Sequence, residues 1–424
     1  MTITAFGIVY IILLIWAYTR SYKHVATLYA FAYLFQTSML FSVGSIGVTP
    51  YLICPLLLII KGWHLPTETT VNIRNIQTMS IVFIAFVVFQ GIVAKLLFEG
   101  SVLIYEGSAM ETSIAQGKVP FVFTYKIIVQ WIYLILNMGG VVSLLKHRKY
   151  LNRPFASRLI KISVLLITVL GIWKYVATNF FGWFPSDFFF NNVAYKMTNI
   201  AQSLYGRYRL SSIFTEASVC GLFLAAFFWN VFFSVCTRKK ILFFLIIVCL
   251  VLSLASTGFF AFGFGLVLYV VVSRQSKAII FVSVVVASLL LVSALFNLDQ
   301  ALLNMTINKM ESGSAEVRTM IMRSQLDLFF ETWGWGIGLG GSCAAGLLTT
   351  LVGHIGIIGT FLFIIWICMI FKHLRANGTS LAFVPLLVIL FGMCSSVGHL
   401  SYPILWLELI IITTITKDEM RYLR

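Results

Sequence analysis

Apolar runs long enough to cross the ~30 Å hydrocarbon core of a bilayer recur from end to end of this chain. Inside lipid such runs must be helices, because every backbone amide needs an internal partner. The chain is 60% hydrophobic and 10% charged, and its mean hydropathy of +0.97 excludes a soluble domain of this length. The sequence therefore predicts an all-α, polytopic membrane protein that forms a single integral membrane domain, residues 1–424.

About 12–13 transmembrane helices are expected. The predicted spans are 4–18, 24–44, 48–61, 77–98, 120–145, 158–180, 216–236, 240–255, 257–273, 277–296, 343–371, 381–397 and 403–416. The third is short for a crossing, and 381–416 can be one broken helix or two. The first span has no basic segment before it and no small-residue cleavage site, so it is expected to stay uncleaved.

The net charge of +16 follows from the topology and does not indicate a nucleic-acid partner. With these spans, 20 of the 30 Lys and Arg residues fall in loops on one side of the membrane. The positive-inside rule makes that side cytoplasmic and predicts a cytoplasmic C-terminus. The seven cations in the opposite loops are Lys118, Lys196, Arg207, Arg209, Lys309, Arg318 and Arg323.

Two outer loops are long, at about 181–215 and 297–342. Long loops inside a compact protein are often functional. The second contains a predicted helix, Ala315–Glu331, in which Arg323 and Asp327 are four residues apart and are expected to pair. It ends in the glycine-rich segment Gly334–Gly341, where the backbone can approach a ligand closely or turn sharply.

Four arginines on the outer side exceed what topology requires: Arg207, Arg209, Arg318 and Arg323. A guanidinium binds phosphate or pyrophosphate through two parallel hydrogen bonds and stays charged near lipid. Interfacial anchoring or carboxylate pairing is the alternative, and it suits Arg323 best. The arginines predict half of a binding site for an anionic, lipid-linked substrate between residues 205 and 221.

Glu216 lies at the start of the seventh predicted span. Three roles are open for it: a general base for an acceptor hydroxyl, a carboxylate favoured by the helix dipole, or a partner that positions Arg209. The helix-end role is favoured.

Other polar residues have both a functional and a structural interpretation. Asp187 and Tyr205 lie among aromatics that are typical of a bilayer interface, or that could form a platform for sugars. His354 and Glu408 fall within late spans, where each can be functional or a hydrogen-bonding contact between helices.

Several kinds of site are not indicated. The seven cysteines are scattered without a CxxC pair, so neither a disulfide framework nor a metal site is predicted. The chain has no P-loop, GxSxG, HExxH or DxD-like motif. No strand precedes the glycine-rich segment, so a dinucleotide-binding fold is excluded. No cofactor is expected.

A series of short motifs runs through the second half of the chain. They are RLSSIFTEAS with Arg209, Phe214 and Glu216, the turn Ser256–Gly258, SGSAEVRTMIMR with Arg318, GWGIGLGG, and GHIGIIG from Gly353 to Gly359. In their order and loop placement they resemble the bacterial O-antigen polymerase family (Wzy), within the O-antigen polymerase/ligase group. The resemblance covers about residues 194–370 by motif and the whole chain by hydropathy.

The resemblance implies a GT-C-like fold and an inverting, metal-independent glycosyltransferase of the bacterial inner membrane. Its substrate would be oligosaccharide repeat units linked to undecaprenyl pyrophosphate, polymerised on the periplasmic face, and a chain-length regulator would be a partner. Arg209 and Arg318 would then act on the leaving pyrophosphate, with Glu216 as the first candidate for the base and Asp187 as the second. The candidate substrate-binding residues are Arg207, Arg323, Lys196, Asp187, Tyr205 and His354.

Three alternatives remain. An O-antigen ligase usually has a histidine soon after the glycine-rich element, whereas this chain reads SCAAGLL there, which favours a polymerase. A flippase for the same lipid-linked substrate would have internal repeats and cations at mid-membrane, but here no clear repeat is found and the cations lie in outer loops. A scaffold would not require arginines in both long loops.

Overall fold

The structure is a computed structural model, which describes residues 2–44, 46–107, 110–151, 154–180, 182–192, 203–204, 207–273, 282–289, 313–396 and 398–420. The predicted span 277–296 lies largely outside these residues. So do Lys196 and Tyr205, together with the side chain of Arg207.

The described part of the chain is mostly helical. The helices are α1 (Ala5–Arg20), α2 (Tyr22–Ala32), α3 (Pro50–Trp63), α4 (Val71–Phe98), α5 (Met110–Gln116), α6 (Tyr125–Lys146), α7 (Phe155–Asn179), α8 (Ser186–Phe189), α9 (Ala217–Phe233), α10 (Lys239–Ser253), α11 (Ser256–Ser273), α12 (Gly313–Glu331), α13 (Leu347–Ala376), α14 (Phe383–Ser395) and α15 (Pro403–Thr414). Residues 282–289 are also helical. Single 3-10 turns lie at Arg148–Tyr150, Ser380–Ala382 and Lys417–Glu419.

Short strands connect some of the helices. They are β1 (Thr2–Ile3), β2 (Phe41–Val43), β3 (Ile46–Val48), β4 (Leu103–Ile104), β5 (Val119–Pro120), β6 (Ser203–Leu204) and β7 (Arg207–Tyr208). They pair antiparallel as one sheet in the order β1-β2-β3 and as two hairpins, β4-β5 and β6-β7.

Four of the described helices, α4, α6, α7 and α13, are long and apolar enough to cross a membrane by length and composition. Six shorter apolar helices of 10–17 residues accompany them: Ala5–Arg20, Pro50–Trp63, Ala217–Phe233, Ser256–Val271, Ser380–Ser395 and Pro403–Thr414. The chain is therefore a mostly helical protein with candidate membrane spans, as the sequence predicts. The expected number of membrane crossings, 12–13, stays a prediction.

The prediction of one continuous helix over 24–44 is wrong, although this segment does return to the starting end of α1, where β2 pairs with β1. Helix α2 ends at Ala32, and β2 and β3 follow. Thr37 and Ser38 are buried, and both hydroxyls donate to the carbonyl oxygen of Phe189, at 2.9 and 2.7 Å. The stretch is apolar because it is buried against other protein segments, and hydropathy alone does not distinguish that environment from lipid. Over 381–416 the structure has two helices, α14 and α15, where the sequence left one or two open.

Helix α9 lies at the centre of the packing. All of its residues are buried, and it contacts α7, α10, α11 and α14. A helix that is apolar on every side is expected in such a position. It meets α11 at Gly221 and Gly258, where a Cβ on Gly258 would lie 2.8 Å from the Gly221 Cα atom. The two backbones are therefore in direct contact next to the start of both helices.

Helix α13 is broken at Gly356, whose φ of 69° is in the left-handed region. The glycine-rich segment Gly334–Gly341 fits against this break. The Gly338 amide donates to the His354 carbonyl oxygen at 2.8 Å, and the Ile357 amide donates to the Gly334 carbonyl oxygen at 3.0 Å. A Cβ on Gly336 would lie 2.6 Å from the His354 carbonyl oxygen. The glycines thus allow the segment to supply the backbone partners that the broken helix lacks.

Candidate functional site

The segment before α9 is held by hydrogen bonds to its backbone on both sides of Arg209. Asn179, the last residue of α7, accepts a hydrogen bond from the Tyr208 amide at 3.0 Å and donates to the Tyr208 carbonyl oxygen at 3.3 Å. The Leu210 amide donates to the carbonyl oxygen of Leu252 at 3.0 Å. Arg209, between these two anchors, is therefore directed toward the end of α10.

Arg209 binds the C-terminal end of α10. Its Nε donates to the carbonyl oxygen of Ser253 at 3.1 Å, and a terminal nitrogen donates to that of Leu254 at 2.7 Å. These are carbonyls that a helix end leaves without intrahelical partners. Burial lowers the pKa of the Arg209 guanidinium from its ordinary value, Glu216 opposes this shift, and the positive charge of Arg318 adds to it. Arg209 thus holds the α10–α11 junction and adds positive charge beside the other two residues.

Glu216 is the N-cap residue of α9, but its side chain makes no capping bond to the helix backbone. Its Oε2 accepts a hydrogen bond from the Ser218 hydroxyl at 2.7 Å and lies 3.9 Å from a terminal nitrogen of Arg318. The described ion pair is with Arg318, and the negative charge of Glu216 also acts on Arg209, the partner that the sequence left open. The carboxylate is 39% exposed, so it remains accessible to a ligand.

Arg318 reaches this cluster from α12, and its side chain is only 15% exposed. The helix was predicted at Ala315–Glu331 and is observed at Gly313–Glu331. Arg209, Glu216 and Arg318 thus come together although they belong to the two separate long loops that the sequence indicated. Together they carry two positive charges and one negative charge at a partly buried position.

The predicted pair between Arg323 and Asp327 is wrong. Within the described α12, Asp327 instead pairs with Lys118 at 3.7 Å, and no ion pair joins it to Arg323. Arg323 is exposed and lies five residues after Arg318, which turns it to a different face of the helix. Lys118 follows α5, and the contact of α5 with α12 was not apparent from the sequence. Arg323 is therefore not brought together with Arg318 and Glu216.

Of the remaining candidates of the first loop, Asp187 has a described side chain, whereas Lys196, Tyr205 and the side chain of Arg207 lie outside the described residues. Asp187 is exposed on α8, and no described ion pair joins it to Arg209 or Arg318. Arg207 lies in β7, so its backbone is two residues from Arg209.

His354 belongs to a second polar group, beside the glycine-rich segment. Its Nε2 lies 3.0 Å from the Ser342 hydroxyl, and its Nδ1 accepts the Gly340 amide at 3.3 Å. Gln325 of α12 donates to the Ser342 hydroxyl at 2.8 Å and to the Cys343 carbonyl oxygen at 2.6 Å. Gln325 and Ser342 were not among the residues predicted from the sequence. The one available signal was that Gln325 follows Arg318 by seven residues, which places both on one face of α12.

Glu408 makes a contact between helices. Its Oε2 accepts a hydrogen bond from the Asn230 amide of α9 at 2.7 Å, and both side chains are buried. The sequence left open whether Glu408 is a functional group or a hydrogen-bonding contact between helices. The observed bond is a contact between helices, and it links α15 to α9. In the described residues, no group of three or more His, Cys, Asp or Glu residues is arranged to hold a metal ion.

No protein-family model matches this chain, and no curated protein is significantly similar to it in sequence.

Proposed function

We propose that this chain is a membrane glycosyltransferase that polymerises oligosaccharide repeat units carried on undecaprenyl pyrophosphate. It works at the periplasmic face of the bacterial inner membrane, with its C-terminus in the cytoplasm. Its GT-C-like membrane domain has two long periplasmic loops, and its product is O-antigen or a related surface polysaccharide. A chain-length regulator is its protein partner.

The pairing of Glu216 with Arg318 at 3.9 Å, beside the partly buried Arg209 guanidinium, is the observation that carries this proposal. Two arginines around one carboxylate leave a net positive charge that suits a pyrophosphate. The starts of α9 and α11 are adjacent, as the contact between Gly221 and Gly258 requires. Helix N-termini favour anions, so the dipoles and the guanidinium groups act in the same direction.

In the transfer step, the acceptor hydroxyl oxygen bonds to the anomeric carbon of the growing chain, and the bond from that carbon to the pyrophosphate breaks. The electron pair leaves with the pyrophosphate, whose developing charge Arg318 stabilises. The hydroxyl proton passes to Oε1 of Glu216, because the two described contacts of this carboxylate both involve Oε2. Arg209 positions the junction of α10 and α11 and adds positive charge.

The test is the polysaccharide ladder of a null strain complemented with Arg318→Ala or Arg209→Ala at normal protein levels. Both variants are expected to lose long-chain polysaccharide. The control is Arg375→Ala, which removes an exposed arginine at the far end of α13 and is expected to restore a normal ladder. Normal ladders from both site variants would contradict the proposal.

The null strain itself distinguishes the rival functions. Single repeat units on the lipid A-core indicate a missing polymerase. Polymer that remains on the undecaprenyl carrier, with none on the core, indicates a missing ligase. The loss of both indicates a missing flippase.

A further inference from the structure

In the described residues, the hydrogen bonds around Ser342 leave its hydroxyl proton with one long hydrogen bond, which a ligand could replace. The Cys343 carbonyl oxygen can only accept, so the Gln325 atom 2.6 Å from it must be the amide nitrogen. The same nitrogen donates its other proton to the Ser342 oxygen at 2.8 Å. One of the two lone pairs of the hydroxyl is therefore occupied.

The second lone pair is occupied by His354. Because Nδ1 of this ring accepts the Gly340 amide proton, the neutral imidazole carries its own proton on Nε2. Nε2 then donates to the Ser342 oxygen at 3.0 Å. His354 thus acts as a positioning residue for Ser342 and does not present a basic nitrogen to it. The remaining hydroxyl proton has one described acceptor, the Cys343 carbonyl oxygen at a long 3.4 Å.

Ser342 lines a small open pocket between the glycine-rich segment and the β4–β5 region. Gly340, Gly341, Glu106 and Lys126 also line it. Lys126 and Glu106 pair at 3.1 Å, and both are about half exposed. The wall therefore offers hydroxyl and ammonium donors beside a carboxylate acceptor, with no net charge. This combination suits two adjacent hydroxyl groups at the edge of an uncharged sugar ring.

The pocket has a fixed relation to the pyrophosphate site. Arg318 and Gln325 lie seven residues apart on one face of α12, about 10 Å along the helix axis. One helix thus carries Arg318 at the leaving-group site and Gln325 beneath the pocket.

We propose that the pocket formed by Ser342, Lys126, Glu106 and the glycine-rich segment binds the terminal sugar of the acceptor repeat unit, with Ser342 as hydrogen-bond donor. This inference rests on the proposed polymerase function and assigns it an acceptor subsite separate from the pyrophosphate site.

The test uses the purified full-length protein and two probes, the neutral repeat-unit oligosaccharide released from its carrier and undecaprenyl pyrophosphate alone. Saturation-transfer NMR on the oligosaccharide is expected to show contact at the non-reducing terminal sugar. Ser342→Ala should weaken oligosaccharide binding by about tenfold, as expected for one lost hydrogen bond, and should leave undecaprenyl pyrophosphate binding unchanged. Arg318→Ala should weaken the binding of undecaprenyl pyrophosphate and leave oligosaccharide binding unchanged. The matched control, Ser395→Ala at the exposed end of α14, should bind both probes as the wild type does.

Lys126→Met provides a second variant that removes a pocket donor without touching Ser342, and it should also weaken oligosaccharide binding. Wild-type affinity in both pocket variants, or no saturation transfer to the wild type, would overturn the acceptor subsite. Such a result would leave the polymerase function intact provided that Arg318→Ala abolishes the ladder. A normal ladder from Arg318→Ala and Arg209→Ala would instead remove the proposed function.

Discussion

The carboxylate of Glu216 and the guanidinium of Arg318 lie 3.9 Å apart, although one residue begins α9 and the other belongs to α12. Each is the described ionic partner of the other, so a change in one alters the electrostatic surroundings of the other. Variants at this pair therefore need to separate charge from geometry.

Replacing Arg318 by lysine keeps the charge and removes the planar fork of donors that matches a pyrophosphate. We expect Arg318→Lys to retain a shortened ladder, whereas Arg318→Ala should lower the polymerisation rate by about 10²–10³-fold, as for other groups that stabilise developing charge. Gel profiles and the initial rate with purified lipid-linked repeat units measure both effects. Equal activity of the lysine variant and the wild type would argue against bidentate recognition.

Glu216→Gln tests the proposed base. Glutamine keeps the size of the side chain and can still accept from Ser218, but it cannot take a proton. We expect polymerisation to fall at every pH between about 6 and 9, without a shift of the profile. The thermal midpoint in detergent should stay close to that of the wild type, because Glu216 makes no capping bond to α9. Wild-type activity in Glu216→Gln would assign Glu216 to the positioning of Arg318 alone.

The crossing of α9 and α11 should not tolerate a methyl group. In Gly258→Ala the new Cβ would lie 2.8 Å from the Gly221 Cα atom, and we expect a loss of about 1–3 kcal/mol of stability. Gly263→Ala is the matched control on the same helix, because a Cβ there meets nothing within 4 Å, and alanine favours helix. Thermal unfolding in detergent should rank the control at or above the wild type. If the two variants unfold alike, the close crossing is not rigid.

The positioning role of His354 predicts that a side chain with the same pattern of donor and acceptor will replace it. A glutamine can accept the Gly340 amide with its oxygen and donate to Ser342 with its nitrogen. We therefore expect His354→Gln to retain most oligosaccharide binding and His354→Leu to lose it at similar protein levels. Loss in both variants would mean that the imidazole itself is required.

His399 links stability to pH. It lies in the connection between α14 and α15, its Nδ1 is 2.7 Å from the Ser401 hydroxyl, and burial lowers its pKa to about 4. An unfolded histidine titrates near 6.5, so between about pH 6.5 and 4 the unfolded state binds more protons. Stability should fall as the pH drops through this window. The thermal midpoint of His399→Gln should fall less steeply over the same range, and parallel curves would refute this assignment.

Much of the helix pattern follows from the sequence. An apolar run such as 77–98 must pair its backbone amides internally, whether lipid or protein surrounds it. The stretch 24–44 shows the limit of this reasoning, since Thr37 and Ser38 are buried by a distant segment that hydropathy does not include. The Lys118–Asp327 pair has the same origin, because α5 meets α12 only in the folded chain. Charge density drew attention to Arg209, Glu216 and Arg318, which the fold brings near one another; their role in catalysis stays a prediction. The carbonyl partners of Arg209 and the hydrogen bonds around Ser342 depend on backbone positions in the folded chain, which no sequence motif predicts.

The break at Gly356 has a consequence for depth in the bilayer. After the break, the apolar part of the helix runs from residue 357 to Phe371, before the cations Lys372 and Arg375. These 15 residues are about 22 Å long, which is shorter than the ~30 Å hydrocarbon core. A crossing by α13 would therefore include the break, where unpaired backbone groups are costly in lipid. The glycine-rich segment that supplies the backbone partners at Gly356 would then reach below the headgroup layer.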